Sequence, residues 1–269
     1  MKIFKITISI VIAIIFFNSC TDIIELDLKN TEPRIVIEAK LNISDSTFRA
    51  DITMSNDFYE NGDFKRVSGA DVQLQKTGGE SYTIPETESG VYFLENIIAE
   101  TNDEFTVSVT DTDGIIYEAN TTTPYPAEIL NILPSPFVPP GGGQPNDTTQ
   151  YVQILTFWKD SLSVDNYYRI KTYVNNEFNA KDYLLTDDRV ADGDTLASIS
   201  IHELYSGDLF KIELLSTDQK YFDYFMDLAV IQGQGPSSTT PYNPKGNFNN
   251  GAFGYFGIYT VSEVEFLLP

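Results

Sequence analysis

Alternation of apolar and polar residues is the dominant pattern between residues 34 and 122. Phe48, Ala50, Ile52 and Met54 alternate with polar residues, and the same period recurs further along the chain. A period of two places apolar side chains on one face of a strand and polar side chains on the other. The pattern predicts seven short strands, near residues 34–40, 48–55, 70–76, 82–84, 91–94, 105–110 and 115–122.

Turn signals separate these predicted strands. They are Asn61-Gly62, Gly78-Gly79, Ser89-Gly90 and Asp113-Gly114. Asp-Gly between two alternating runs is a strong hairpin signal. Seven short strands at this spacing are typical of a sandwich, so we predict an Ig-like β-sandwich over residues 33–125. Ser68 to Val72 followed by Gly90-Val91-Tyr92 also resembles the prealbumin-like type of Ig-like domain.

The second half of the chain, residues 126–269, is predicted to be a second β-rich, sandwich-like unit. Residues 150–158, 166–174, 209–215 and 255–266 are predicted strands. One helix is predicted at about 217–231, because Ser216 and Gln219 have the spacing of a capping box and an apolar stripe follows. Gly233 and Pro236 are expected to end this helix. The whole chain is therefore predicted to be mainly β, with one packed α-helix.

Proline and glycine punctuate the chain between the two predicted units. Thr123 to Pro126 closes the first unit, and Pro134 to Pro145 (PSPFVPPGGGQP) follows. Proline lacks an N–H donor and glycine is costly to order, so the second stretch is expected to be a loop or a linker. The alternative to two units is one continuous sandwich in which this stretch is only a long loop.

The first nineteen residues are predicted to be a lipoprotein signal peptide. Lys2 and Lys5 precede a twelve-residue apolar run that stops just before Cys20, which is the only cysteine of the chain. Twelve residues span about 18 Å as a helix, which is short of a hydrocarbon core of about 30 Å. Ser19 is the small residue expected before the cleavage point. An ordinary secretory signal and an uncleaved anchor are the alternatives.

Cys20 is predicted to be the lipidated N-terminus, attached to the bilayer through acyl chains such as palmitate. Several acyl chains hold a protein on a membrane where a single chain would not. Residues 20–32 are predicted to form an acidic tether, since Asp22, Glu25 and Asp27 follow the cysteine closely. Such acidic residues resemble the surface-export signals of some Gram-negative lipoproteins, and a solvated linker is the alternative. The predicted location is the outer membrane, on its periplasmic face or at the cell surface.

The charge balance excludes one class of partner. Seventeen Lys and Arg against 39 Asp and Glu give a net charge of -22, and the apolar fraction of 42% is that of a folding chain. A field of this sign repels phosphate backbones, so nucleic-acid binding is not expected. Nothing in the sequence predicts a cofactor.

Catalytic residues are not predicted. His202 is the only histidine, no nucleophile-elbow sequence accompanies it, and a position at the surface or at a strand end is expected. Asp187, Asp188, Asp192 and Asp194 have the oxygen density that a cation requires but not the spacing of an EF-hand. They are weak metal candidates, and acidic turns are the alternative.

A segment rich in glycine, asparagine and aromatic residues runs from Gly233 to Ile258. Glycine permits close backbone approach, and aromatic rings supply contact area for a ligand or another protein. A candidate binding surface is therefore predicted at Tyr242, Phe248, Phe253, Tyr255 and Phe256. The alternative is a long ordered loop whose aromatic side chains enter the sandwich.

Several short motifs resemble, in the same order, those of Bacteroidota lipoproteins grouped as domain of unknown function 4249. They are Cys20 with Glu25-Leu26-Asp27-Leu28, Pro33 to Glu38, Val67 to Ala70, Gly90-Val91-Tyr92, Tyr221 to Tyr224, Asn243 to Asn247, and Gly254 to Gly257. The resemblance implies a surface or periplasmic lipoprotein, often encoded beside a TonB-dependent outer-membrane transporter. It implies no catalytic residue.

These observations lead to a non-enzymatic, lipid-anchored protein that serves a TonB-dependent outer-membrane transporter as an accessory or ligand-capture partner. An adhesin-like structural surface module is the main alternative. An envelope hydrolase that uses carboxylate or Ca²⁺ chemistry is a further one, and a cluster of three or more carboxylates around one pocket would favour it.

Overall fold

The computed structural model describes residues 33–56, 63–138, 149–180, 183–189, 193–233 and 242–268. The predicted signal peptide and tether therefore lie outside the described residues. The described residues belong to one compact unit.

Sixteen strands and one helix make up the described part of the chain. The strands are β1 (Ile35–Asn42), β2 (Thr47–Met54), β3 (Asp71–Lys76), β4 (Ser81–Ile84), β5 (Glu86–Glu88), β6 (Val91–Glu95), β7 (Glu104–Thr110), β8 (Ile116–Thr122), β9 (Ile129–Pro136), β10 (Thr149–Lys159), β11 (Tyr167–Val174), β12 (Glu177–Phe178), β13 (Leu184–Asp187), β14 (Thr195–Tyr205), β15 (Leu209–Thr217) and β16 (Phe253–Leu267), and the helix is α1 (Gln219–Ile231).

One nine-stranded sheet is the centre of the fold. Its strand order is β12-β11-β15-β16-β1-β2-β6-β5, and β13 pairs with β11. The first and the last of the sixteen strands, β1 and β16, are neighbours in this sheet and run parallel, with Val36 opposite Phe253. The other pairings in the sheet are antiparallel. Because β16 also pairs with β15, it joins the early strands of the chain to the late ones.

Two smaller sheets pack on the same face of the large one. The order in the first is β4-β3-β7-β8, and the order in the second is β14-β10-β9. The first encloses a core with β1 and β2, whose inward residues include Ile37, Leu41 and Phe48. The second encloses a separate core with β11 and β15, centred on Trp158 and Tyr168. The result is two sandwiches that share one large sheet.

The helix α1 packs on the opposite face of the large sheet. Its buried side chains Tyr221 and Tyr224 meet Tyr255 of β16 and Leu215 of β15. The predicted fold class, mainly β with sandwich packing and one packed helix, is confirmed. The predicted boundary near residue 125 does not interrupt the sheet, and whether residues 33–125 fold independently stays a prediction.

Two local predictions are wrong. The helix cap is Asp218 rather than Ser216, and the Asp218 side chain accepts a hydrogen bond from the backbone N–H of Tyr221. The Ser216 hydroxyl instead accepts from the backbone N–H of Ala127, at 3.0 Å. Residues 134–136 are strand rather than loop, because β9 is an edge strand and an edge tolerates proline.

Candidate functional site

The five aromatic residues of the predicted binding surface are divided between interior and exterior. Phe248, Tyr255 and Phe256 are buried, Phe253 is half-buried, and Tyr242 is 44% exposed. The surface prediction is therefore wrong for the three buried residues. The alternation of β16 sends Phe256 into the first core and Tyr255 under the helix α1, and Phe248, which precedes β16, also packs in the first core.

The asparagine side chains of this segment form hydrogen bonds with backbone groups of neighbouring strands. The side chain of Asn247 donates to the carbonyl of Phe256 and accepts from its N–H, both at 2.8 Å. Asn249 accepts from the N–H of Glu118 at 2.7 Å, and Asn250 donates to the carbonyl of Ile116 at 2.7 Å. The residues from Asn247 to Asn250 thus bridge β8 of one sheet and β16 of the other.

Glycine is required where this segment crosses β16. A Cβ on Gly246 would overlap the carbonyl oxygen of Gly254, and a Cβ on Gly254 would overlap the carbonyl oxygen of Ile37 in β1. Gly254 also has a φ of +92°, which other residues rarely adopt. The two glycines bring three stretches of backbone close together, and this places Asn243 and Pro244 beside the open face of the large sheet.

A groove of about 880 Å³ lies on that face, between β1, β2, β16 and the helix α1. Its volume lies within the range of small-molecule sites. Phe253, Asn243 and Pro244 come from the predicted segment, so the segment builds one wall of the groove although most of its aromatic residues are buried. The lining also includes Val36, Glu38, Asp51, Thr53, Ser55, Asp63, Phe64, Arg66, Tyr224 and Gly254.

The charges on the groove floor are arranged around Asp51. Its carboxylate accepts from Arg49 at 2.7 and 2.9 Å and from Arg66 at 2.8 Å. Burial alone would raise the pKa of Asp51, but the hydrogen bonds from the two guanidinium groups outweigh it and lower the pKa below its ordinary value. Glu38 lies directly opposite Asp51 in the neighbouring strand. The groove therefore presents aromatic rings together with both signs of charge. Glu38, Asp51 and Asp63 all line it, so it meets the criterion of three carboxylates around one pocket that would favour a hydrolase. Asp51, however, is paired with two guanidinium groups, and no three acidic groups among the described residues are placed to hold a metal ion.

Sequence reasoning missed Glu38, Asp51 and Arg66. Glu38 and Asp51 occupy polar positions of alternating strands, where charged residues ordinarily face solvent. Only the strand pairing shows that they share a groove with Phe253. Phe253 was the one residue by which the sequence pointed to this groove, because it belongs to the predicted binding surface and also lines the groove.

A buried arginine fixes the helix beside the groove. Arg169 of β11 is 6% exposed, its guanidinium carbon lies 3.7 Å from the ring centre of Phe225, and it donates to the hydroxyl of Tyr221 at 2.9 Å. Stacking of a cation on aromatic rings is strongest where water is excluded. Burial, followed by the nearby charge of Arg169, lowers the pKa of Lys171 to about 8. Both cations tie β11 to the aromatic layer under α1.

Two of the four weak metal candidates, Asp187 and Asp188, have carboxylates with other partners. Arg189 pairs with Asp187 at 2.6 Å, and Asp188 accepts from the backbone N–H of Asn166 at 2.9 Å. The backbone carbonyl of Asp194 accepts from the N–H of Asp160, and Asp192 lies outside the described residues. Among the residues that the structure describes, no group of three or more His, Cys, Asp and Glu could hold a metal ion.

The remaining candidates are His202, Ser19 and Cys20. His202 is buried in the middle of β14, so the expected position at the surface or at a strand end is wrong. Its ring packs 4.7 Å from the ring of Phe210, centre to centre. Ser19 and Cys20 lie outside the described residues. Within the described ranges, no helix is long and apolar enough to cross a membrane.

Comparison with solved structures gives several remote similarities. The FN1–FN3 domains of chicken CNTN1 are 11% identical, with 88% of this chain and 65% of that chain covered and a TM-score of 0.28. The Yersinia pseudotuberculosis adhesin InvE is 17% identical, with 68% and 55% covered and a TM-score of 0.20. A DUF3823 family protein from Bacteroides uniformis is 12% identical, with 88% and 100% covered and a TM-score of 0.26. The chain thus spans less than two thirds of the first two.

Comparison with protein families gives a match over almost the whole sequence. No curated protein matches the chain. The family described as "Domain of unknown function (DUF4249)" matches residues 21–265 of the 269. The match begins one residue after Cys20, includes β1 to β15 and ends two residues before the end of β16. The chain belongs to the DUF4249 family.

Proposed function

We propose that this protein is a lipid-anchored, non-enzymatic envelope lipoprotein of a Bacteroidota bacterium that captures a ligand for a TonB-dependent outer-membrane transporter. Support for the anchor comes from the apolar run that stops at the only cysteine of the chain. Support for the transporter comes from the short motifs of this chain, which resemble those of lipoproteins often encoded beside such transporters. The negative net charge opposes contact with anionic bilayer surfaces, which leaves the protein faces for other molecules.

One observation carries the capture role. The groove beside Phe253 combines aromatic rings with charged and polar groups, as binding sites for small molecules do. Asp51, its most strongly paired acid, is held by Arg49 and Arg66, so it serves to position these guanidinium groups. Such a floor suits reversible binding of a polar ligand against an aromatic wall.

The anchor is tested by metabolic labelling with a fatty-acid analogue. The wild-type chain is expected to take up the label and to sediment with membranes. The Cys20→Ala variant is expected to do neither, because the thiol of Cys20 is the acceptor of the lipid. Label that survives this substitution would contradict the anchor.

The capture role is tested with two exposed side chains of equal exposure. Phe64 lines the groove and is 62% exposed, whereas Ile98 is 63% exposed and is not part of the groove lining. Phe64→Ala is expected to reduce the small molecules and the transporter that copurify from solubilised membranes, with the melting temperature unchanged. Ile98→Ala is the control. Equal recovery with both variants would remove the groove from the proposal.

A further inference from the structure

The outward face of the β9–β10–β14 sheet carries a cluster of exposed apolar residues, with the polar residues Asn131, Ser135 and Thr195 at other outward positions. On this face β14 carries Ile199, Ile201 and Tyr205, which are 55%, 47% and 49% exposed, and β9 carries Leu133, which is 48% exposed. The outward positions of the central strand β10 are half-buried and are Tyr151, Gln153, Leu155 and Phe157. The inward positions of β10 form part of the second core, so this strand is apolar on both faces.

Strand pairing makes these side chains neighbours. Ile199, Leu155 and Leu133 stand in one row across the three strands. Ala197 pairs with Phe157 in the adjacent row. Side chains opposite each other in neighbouring strands lie about 5 Å apart, so the apolar residues form one continuous patch. Continuous exposed apolar patches on proteins mark surfaces that another molecule covers.

The other small sheet of the same protein provides an internal comparison. The outward residues of β7 are Glu104, Thr106, Ser108 and Thr110, and those of β3 include Gln73 and Gln75. That sheet follows the usual rule of a polar outward face over an apolar inward face. A strand that is apolar on both faces is typical of a sheet buried on both sides. The sequence of the β9–β10–β14 sheet is therefore that of a sheet covered on both faces, whereas none of the described residues covers its outward face.

Two charges mark the ends of the patch. Lys159 ends β10 on the outward face, where one N–H of its ammonium group donates to the carbonyl of Gly193 at 2.5 Å, and Glu203 of β14 lies beside Tyr151 near the other end. Residues 151 and 159 are equally far from Leu155, the centre of the patch. If a second copy packs on this face with its strands antiparallel, each Lys159 meets the Glu203 of the other copy. The face is thus complementary to itself in charge as well as in apolar character.

We propose that two copies of this chain associate through the outward faces of their β9–β10–β14 sheets, antiparallel, about a two-fold axis near Leu155. Sheets packed in this way lie about 10 Å apart with their strands nearly aligned. Three strands and about nine residues per strand give a face of roughly 14 by 30 Å. Two such faces bury on the order of 850 Å², which is the range of weak, specific interfaces. The association is independent of the proposed anchor and transporter.

The test is sedimentation equilibrium of residues 20–269 carrying Cys20→Ala, so that neither an acyl chain nor the apolar run before Cys20 contributes to association. A reversible dimer is expected in the micromolar range. Ile201→Lys, which places a charge inside the patch, is expected to weaken the dimer at least about tenfold without lowering the melting temperature. Thr106→Lys at an outward position of the polar sheet is the matched control and is expected to leave the dimer unchanged. A monomer at every concentration, or a dimer that tolerates Ile201→Lys, would overturn the proposal.

The antiparallel arrangement is tested by exchanging the two end charges. Lys159→Glu and Glu203→Lys each create a like-charge contact across the axis and are each expected to weaken the dimer about threefold or more. The double variant restores opposite charges and is expected to return the dimer to within about twofold of the parent protein. Failure of the double variant to recover affinity would overturn the antiparallel arrangement.

Discussion

At the scale of single residues, Gly254 is a position that tolerates little change. It combines a positive φ with a close approach to the carbonyl oxygen of Ile37, so a methyl group would be strained and would also separate β16 from β1. We expect Gly254→Ala to cost about 3 kcal/mol or more of the free energy of unfolding. Gly207 has a φ of +90° but open space around it, so Gly207→Ala is expected to cost only about 1 to 2 kcal/mol. Chemical denaturation of both variants measures the difference, and equal losses would contradict the role of the close approach.

Asp51 makes stability depend on pH. Its pKa is lowered in the folded protein, so its ion pairs stabilise the fold above its ordinary value of 3.8 and lose this contribution as the pH falls through the folded pKa. We expect Asp51→Asn to cost about 1 kcal/mol at neutral pH. The difference between wild type and variant is expected to shrink below about pH 4. Thermal unfolding across this range measures it, and a constant difference would contradict the assignment.

At the scale of elements, the side chain of Asp218 joins the start of helix α1 to strand β16 by hydrogen bonds. Asp218 is buried and accepts from the N–H of Tyr221 and from the N–H of Ile258, both at 2.9 Å. Asp218→Ala leaves two buried donors without a partner and is expected to cost about 2 to 4 kcal/mol. Asp218→Asn keeps a side-chain oxygen and is expected to lose less. Urea unfolding measures the free energy of unfolding that each variant loses. A larger loss for Asp218→Asn than for Asp218→Ala would contradict a capping role.

Alternation predicted most strands because half-buried strands carry a period of two. The seven strands predicted in residues 34–122 are present, and only the three-residue β5 was not anticipated. Of the later strands, β9, β12, β13 and β14 are not predicted; β12 and β13 have only two and four residues, and β9 and β14 escape prediction for different reasons. β9 contains prolines at a sheet edge, and β14 has apolar residues on both faces, which obscures the alternation.

Asn247 illustrates why the candidate site could be predicted only in part. The sequence shows an asparagine among glycines and aromatic residues, and such a residue can face a ligand or replace backbone. Which of the two it does depends on its register with Phe256, which the strand pairing of the folded chain sets. The same holds for Glu38 and Asp51, since only pairing between strands brings them to one groove.

At the scale of the whole molecule, the shared sheet makes the two sandwiches interdependent. Residues 33–126 contain the inward faces of β1 and β2 but lack Phe256 and Ile258, which complete the same core. We expect this fragment alone to show no cooperative unfolding, because β1 would present an open edge and the core a cavity. Co-expression with residues 127–269 is expected to restore a cooperative transition. A cooperative transition in the isolated fragment would instead support a separate N-terminal domain.

The pairing of β1 with β16 has a consequence for how the chain folds. Ser44 and Val261 exchange hydrogen bonds although they are 217 residues apart. Contacts between such distant residues form late and slow the folding rate, because the entropy of closing a long loop is lost before the contact is gained. During synthesis, β1 leaves the ribosome long before its parallel neighbour β16 has been made. The central sheet can be completed only after β16 has been synthesised, so we expect the native fold to form after translation rather than during it.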